Sequence, residues 1–153
     1  MVDIALFQTD IAQNFGTMTR TAVCLGVPVH VIEPLGFIWN EAKMRRAGMD
    51  YLDRADMTRH KSWQDFRQAN SKRRLVALST KGATHLSDFT FKDDDILLFG
   101  RESAGLPDEV MAACDGLVRI PMVEGERSLN VSQSCAMALY KALENTQQLP
   151  TQG

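Results

Sequence analysis

Five short apolar runs, each closing on small or turn-forming residues, lie along this sequence with helix-length segments between most of them. They are DIALF (3–7), VPVHVI (27–32), RLVALST (74–80), DILLFG (95–100) and GLVRI (116–120). No other feature limits the fold as sharply. Runs of this length without polar alternation suit strands covered on both faces. Strands separated by helices pair in parallel through crossovers rather than as hairpins. The spacing predicts an α/β fold, a mostly parallel sheet flanked by helices.

The segments between the runs supply the helices. One is expected from about Gly16 to Leu25, with Gly26 placed to end it. EPLGFIWN (33–40) is a loop punctuated by Pro34 and Gly36. Asn40 is placed to cap a short helix carrying Lys43, Arg45 and Arg46, and Ser62 to cap WQDFRQAN. Pro107 suits the first turn of a helix running to about Cys114. A last helix from about Asn130 to Glu144 places Val131, Cys135, Ala138 or Leu139, and Ala142 on one face. The chain of 153 residues reads as one domain with no repeat or linker, and its tail, 145–153, is expected to fray.

Several classes are disfavoured. There is no signal-peptide order at the N-terminus and no apolar run near the roughly 20 residues of a membrane helix. Cys24, Cys114 and Cys135 are too few and too scattered for a disulfide framework or a zinc site, so a cytoplasmic protein without metal is expected. His30, His60 and His85 show no ligand spacing and no obvious acid partner, and His30 reads as a satisfied core histidine. GxxxxGK[ST] and GxGxxG are missing, and GRESAG fails as a nucleophile elbow because Arg101 stands where that motif needs glycine. The net charge of −2 hides an asymmetry. Residues 41–74 carry +5 and the remainder −7, so a basic, phosphate-binding face is plausible beside the alternative of an ordinary solvated surface.

In open parallel sheets, ligands gather outside the carboxyl ends of the strands. Three strand ends here share small, flexible residues: LSTKG (78–82), FGRESAGLP (99–107) and IPMVEGERSLN (120–130). The segments QNFGTMTRTA (13–22), FGRESAGLP and IPMVEGERSLNVSQSCAMALY (120–140) carry Asn14, Gly16 and Arg20, then Gly100, Glu102, Gly105, Leu106 and Pro107, then Ile120, Pro121, Met122, Ser128, Leu129 and Asn130. In that order they resemble the three motifs of the SPOUT class of S-adenosylmethionine-dependent RNA methyltransferases, in the branch that methylates ribose 2′-hydroxyls. HVIEPLGF (30–37) and KMRRAGMDY (43–51) also resemble the small members acting on the wobble nucleotide of tRNA.

The resemblance implies a deep C-terminal trefoil knot, which pattern alone would not suggest because knots are essentially absent from protein folds. It implies that Leu78, Gly100, Glu102, Gly105, Ile120, Ser128 and Leu129 hold S-adenosylmethionine, with S-adenosylhomocysteine as product, and Glu102 is also a candidate to fix its loop by accepting backbone N–H bonds. Arg20, Asn14, Ser128 and Asn130 are the implied catalytic set. Arg20 is either the base or, given a guanidinium pKa above about 12, a clamp for phosphate and developing alkoxide. Asn14 and Asn130 orient the sugar, brace the loops or act as caps, and Ser128 is a candidate cap for the last helix. A homodimer is implied, with Arg20 reaching toward the partner's cofactor. Arg45, Arg46, Lys72, Arg73 and Arg74 are candidate contacts to phosphates of a tRNA anticodon stem-loop. The expected reaction is 2′-O-methylation of the wobble cytidine or uridine. The alternatives are the same chemistry elsewhere on tRNA or rRNA, or a silent RNA-binding module.

Overall fold

A computed structural model describes residues 1–152. Seven parallel strands form one sheet: β1 (Asp3–Phe7), β2 (Val29–Ile32), β3 (Met57–His60), β4 (Leu75–Leu78), β5 (Thr84–His85), β6 (Ile96–Phe99) and β7 (Gly116–Arg119), in the order β3-β2-β1-β6-β4-β7-β5. The helices are α1 (Ala12–Leu25), α2 (Glu41–Arg46), α3 (Trp63–Ala69), α4 (Asp108–Ala112) and α5 (Val131–Asn145), with short 3-10 turns at 50–54 and 86–88.

Side-chain alternation splits the core into two layers. Ile4, Leu6, Val29, Val31, Leu97 and Phe99 face one side, where Phe15, Met18 and Ala22 of α1 meet Cys135, Leu139 and Leu143 of α5. Ala5, Phe7, Ala77, Ile96 and Leu98 face the other, under Phe66 of α3 and Val110 and Met111 of α4. Helices on both faces explain why β6 is apolar throughout and β1 is apolar after Asp3: every residue of each is buried.

The five expected strands and the caps at Asn40 and Ser62 are present, with Asn40 accepting from Lys43 N and Ser62 from Asp65 N. Four expectations need correction. Helix α1 begins at Ala12 rather than Gly16, behind an N-cap, Ile11, whose side chain makes no capping bond. Strand β3 was not expected because MTRH lies at the sheet edge with Thr58 and Arg59 exposed, so it carries no apolar run. The tail is docked rather than frayed through Leu149: the Gln148 side chain accepts from Val2 N at 2.9 Å and donates to Asp93 O at 3.0 Å, and Leu149 packs on the core. His30 does have an acid partner.

That partner is Asp3. His30 Nε2 lies 2.7 Å from Asp3 Oδ2, and its Nδ1 lies 3.0 Å from His60 Nε2. Arg73 Nη1 donates to the same Asp3 oxygen at 2.6 Å. Burial alone would raise the Asp3 carboxyl, but His30 and Arg73 outweigh it and hold it below the ordinary range. No helix among the described residues is long and apolar enough to cross a membrane.

Burial, reinforced by His30, holds the His60 imidazole below its usual range despite an opposing pull from Asp65. The unfolded chain therefore binds this proton more readily than the folded one, and stability must fall as pH drops below about 6.5, the unfolded histidine value. We predict that the thermal midpoint declines between about pH 7.5 and about pH 5.5, and that His60→Gln flattens part of that slope. Identical slopes for the two proteins would exclude His60 as a source.

Candidate active site

Parallel strands end together, so the segments following β4, β6 and β7 open on one side of the sheet. A cleft of about 510 Å³ lies there. Every expected cofactor residue lines it: Leu78, Gly100, Glu102, Gly105, Ile120, Ser128 and Leu129. Asn14 and Asn130 line it too. The volume is within the range of about 300–1,000 Å³ common for small-molecule sites.

The 100–106 turn folds back on itself. Arg101 N donates to Gly105 O at 3.2 Å, and Gly105 N donates to Arg101 O at 2.8 Å. Gly105 has φ +63°, in the left-handed region. A Cβ on Gly100 would fall 2.8 Å from Gly105 C and 2.9 Å from Leu106 N, leaving no space for any other residue. Both glycines are needed for the turn that forms this wall.

Asn130 performs two of its expected roles at once. It is the N-cap of α5, with Oδ1 accepting from Ser132 N at 2.8 Å, while Nδ2 donates to Asn14 Oδ1 at 3.2 Å. The first turns of α5 and α1 are thereby tied together across the cleft. Ser128, expected as a possible cap, is not the cap; it lies in the preceding loop.

Sequence reasoning passed over Arg119, whose Nη2 lies 2.8 Å from His85 Nε2 at the cleft wall. Its signal was the polar residue closing an otherwise apolar strand. Arg119 Nε and Glu102 Oε1 are both buried without a hydrogen-bond partner. Such orphans are rare and mark a place where a ligand donor or acceptor fits. Burial also pushes the Glu102 carboxyl above its usual range. Apolar Leu78, Ile120 and Leu129 beside these polar atoms suit a nucleoside bearing charged substituents.

Arg20 is not brought to this cleft. It is exposed on α1, about 9 Å along the helix axis beyond Asn14. Nearby, the Tyr51 hydroxyl donates to Gly16 O. Burial raises the Tyr51 phenol despite the opposing Arg20 charge, so it remains a donor.

The expected phosphate contacts divide. Arg45 and Arg46 are on α2, where Arg45 pairs with Asp53 at 2.5 Å and Glu41 at 3.8 Å, and Arg46 is exposed. Lys72, Arg73 and Arg74 precede β4, about 13 Å or more along the strand from Leu78 at the cleft, at the opposite end of the sheet. Arg73 is consumed by Asp3, Asp94 O and Met1 O, and Arg74 by both Asp95 oxygens and Thr90 O. Arg73 and Arg74, two of the candidate phosphate contacts, are thus engaged in ion pairs within the chain.

A parallel α/β sheet with a cleft at its strand ends is the arrangement in which open-sheet proteins bind ligands. Comparison with known proteins narrows it. The SpoU rRNA Methylase family matches residues 1–140, and the chain belongs to that family. A tRNA (cytidine(34)-2′-O)-methyltransferase of Beijerinckia indica subsp. indica is 53% identical over 142 residues, 92% of this chain and 89% of that protein. A solved structure concerned with the 2-OH methylation of C/U34 on tRNA superposes with a TM-score of 0.88 at 40% identity, covering 95% of each chain. An AdoMet-bound rRNA methyltransferase from Sinorhizobium meliloti gives a TM-score of 0.83 at 25% identity, covering 94% of this chain and 56% of that one.

The double role of Asn130 is separable. Asn130→Ala should lower stability by about 1 kcal/mol through loss of the cap. Asn130→Asp keeps an acceptor at the positive end of α5 and should stay near wild-type stability while losing the donor to Asn14. Urea unfolding of both variants checks this, and equal losses would mean the tie to Asn14, not the cap, carries the stability.

Proposed function

We propose that this chain methylates the ribose 2′-hydroxyl of the wobble nucleotide, position 34, of tRNA, using S-adenosylmethionine. One observation carries the reading: nine residues expected from separate motifs, from Asn14 to Asn130, share a single cleft. The relatives named for that reaction cover nearly the full chain and are themselves nearly fully covered.

When bound, the sulfonium supplies a methyl group already activated for transfer. The protein's task is alignment and the exclusion of water. Leu78, Ile120 and Leu129 offer apolar contact, and the main chain of the 100–106 turn offers donors and acceptors at close range. Asn14 and Asn130, tied to each other, hold the sugar. Arg20 carries a permanent positive charge that binds the neighbouring phosphate and stabilises negative charge developing on the 2′-oxygen.

Because Arg20 does not line its own chain's cleft, it acts in the cleft of a second copy. A homodimer is supported by the adjacent helices α1 and α5, of which α1 exposes Arg20 and α5 exposes apolar Met137 and Tyr140. The 120–130 segment and α5 are threaded as a trefoil knot, a reading supported by the sheet order, in which β7 enters between β4 and β5. Arg45 and Arg46 contact phosphates of the anticodon stem-loop, and the enzyme works in the cytoplasm.

Purified protein, labelled S-adenosylmethionine and unmodified tRNA should yield 2′-O-methylcytidine or 2′-O-methyluridine at position 34, identified by nucleoside mass spectrometry of mapped fragments. Label at a base or at another position would sink the reading. Arg20→Ala should slow transfer by about a hundredfold or more, while S-adenosylhomocysteine affinity stays within about threefold. A near wild-type rate would remove Arg20 from the chemistry.

A further inference from the structure

Asp10 lies in the turn between β1 and α1 and belongs to none of the motifs above. Its Oδ1 accepts from Glu102 N at 3.2 Å, and its Oδ2 accepts from the Ser103 hydroxyl. Glu102 returns the contact, its Oε2 accepting from Ile11 N at 2.8 Å. Each of the two turns thus uses a carboxylate to hold the other's main chain.

The second of these bonds fills a gap. Ile11, the N-cap of α1, lacks a side-chain acceptor. In a capping box, a glutamate at the third helical position reaches back to the N-cap N–H. Here the third position is Asn14, and Glu102 serves that N–H from 91 residues away. Asn14 is left to face the cleft and Asn130.

A third segment braces Asp10 from behind. Gly36 N donates to Thr9 O at 2.9 Å, and a Cβ on Gly36 would fall 2.4 Å from Asp10 Cβ. The Ser103 hydrogen bond holds the Asp10 carboxyl below its usual range, so at neutral pH it is an acceptor only. Glu102 Oε1 is buried in a residue that lines the cleft and makes no hydrogen bond of good geometry, although the Asn14 side chain lies near enough to pull the carboxyl down against burial.

We infer that Asp10 is a positioning residue of this site: through Glu102 N and the Ser103 hydroxyl it fixes the 100–105 turn so that one Glu102 oxygen anchors α1 and the other stays open to a donor on the ligand. That donor is an ammonium or a ribose hydroxyl. The inference rests on reading the cleft as the methyl donor's site.

Calorimetry of S-adenosylhomocysteine binding to the full chain tests it without requiring the RNA, with thermal unfolding alongside. Asp10→Ala should weaken binding about tenfold or more, and Asp10→Asn, which keeps one acceptor for Glu102 N, should stay within about threefold of wild type. Ser103→Ala should fall between them. Removing the neighbouring negative charge in Asp10→Asn should also move the acid limb of the binding pH profile to lower pH, a change that loss of structure alone would not produce. A folded Asp10→Ala that binds within about twofold of wild type, or an unmoved acid limb in Asp10→Asn, overturns the proposal. If Asp10→Ala does not fold, Asp10→Asn and Ser103→Ala decide. Absence of binding by the wild-type chain would overturn the reading of the cleft, and this inference with it.

Discussion

Strand β6 sits between the first strand of the chain and β4, paired in parallel with both, and each of its four residues is buried. The site depends on this placement. It brings the turn after β1 alongside the turn after β6, and the turn after β6 alongside the one after β4. Residues about 90 positions apart then exchange hydrogen bonds that neither turn could form alone. A parallel sheet cannot be closed by tight hairpins, so its strand ends must hold irregular backbone. Here that backbone becomes the binding surface.

The two ends of the sheet are built for different purposes. At the amino ends of the strands, charges are matched and spent: Arg73 on Asp3, Arg74 on Asp95, and the N-terminal ammonium on Asp94. The exposed pair involving Asp94 adds little stability, whereas Arg73 and Arg74 supply the partners without which buried Asp3 and Asp95 would be uncompensated charges. At the carboxyl ends, polar atoms are left over, among them Glu102 Oε1 and Arg119 Nε. Matched charge gives rigidity, and unmatched polar atoms give a ligand something to meet.

Much of this was legible in the sequence, for identifiable reasons. The apolar runs of β1, β4 and β6 are almost wholly buried, so their composition is unmistakable. The motif residues converge because the spacing of strand and helix fixes which turns become neighbours. What escaped notice lacks a local signature. Edge strand β3 owes its existence to pairing with β2 and not to its own MTRH composition. The start of α1 was hidden because its anchor, Glu102, lies 91 residues away. The arginines at 73 and 74 looked like a phosphate-binding pair because charge along a sequence does not show which carboxylates fold against it.

The same logic bears on why Arg20 stands apart. The cations that line the cleft are already engaged: Arg119 with His85, Arg101 with Gly105 O and Lys81 with Asp108. A long, permanently charged side chain built into that wall would have to be desolvated in every state of the protein. Mounted on the exposed face of α1, Arg20 is hydrated in the single chain. On the proposed reading, the dimer brings Arg20 to the partner's cleft and adds there a cation that the strand-end turns of one chain do not supply free.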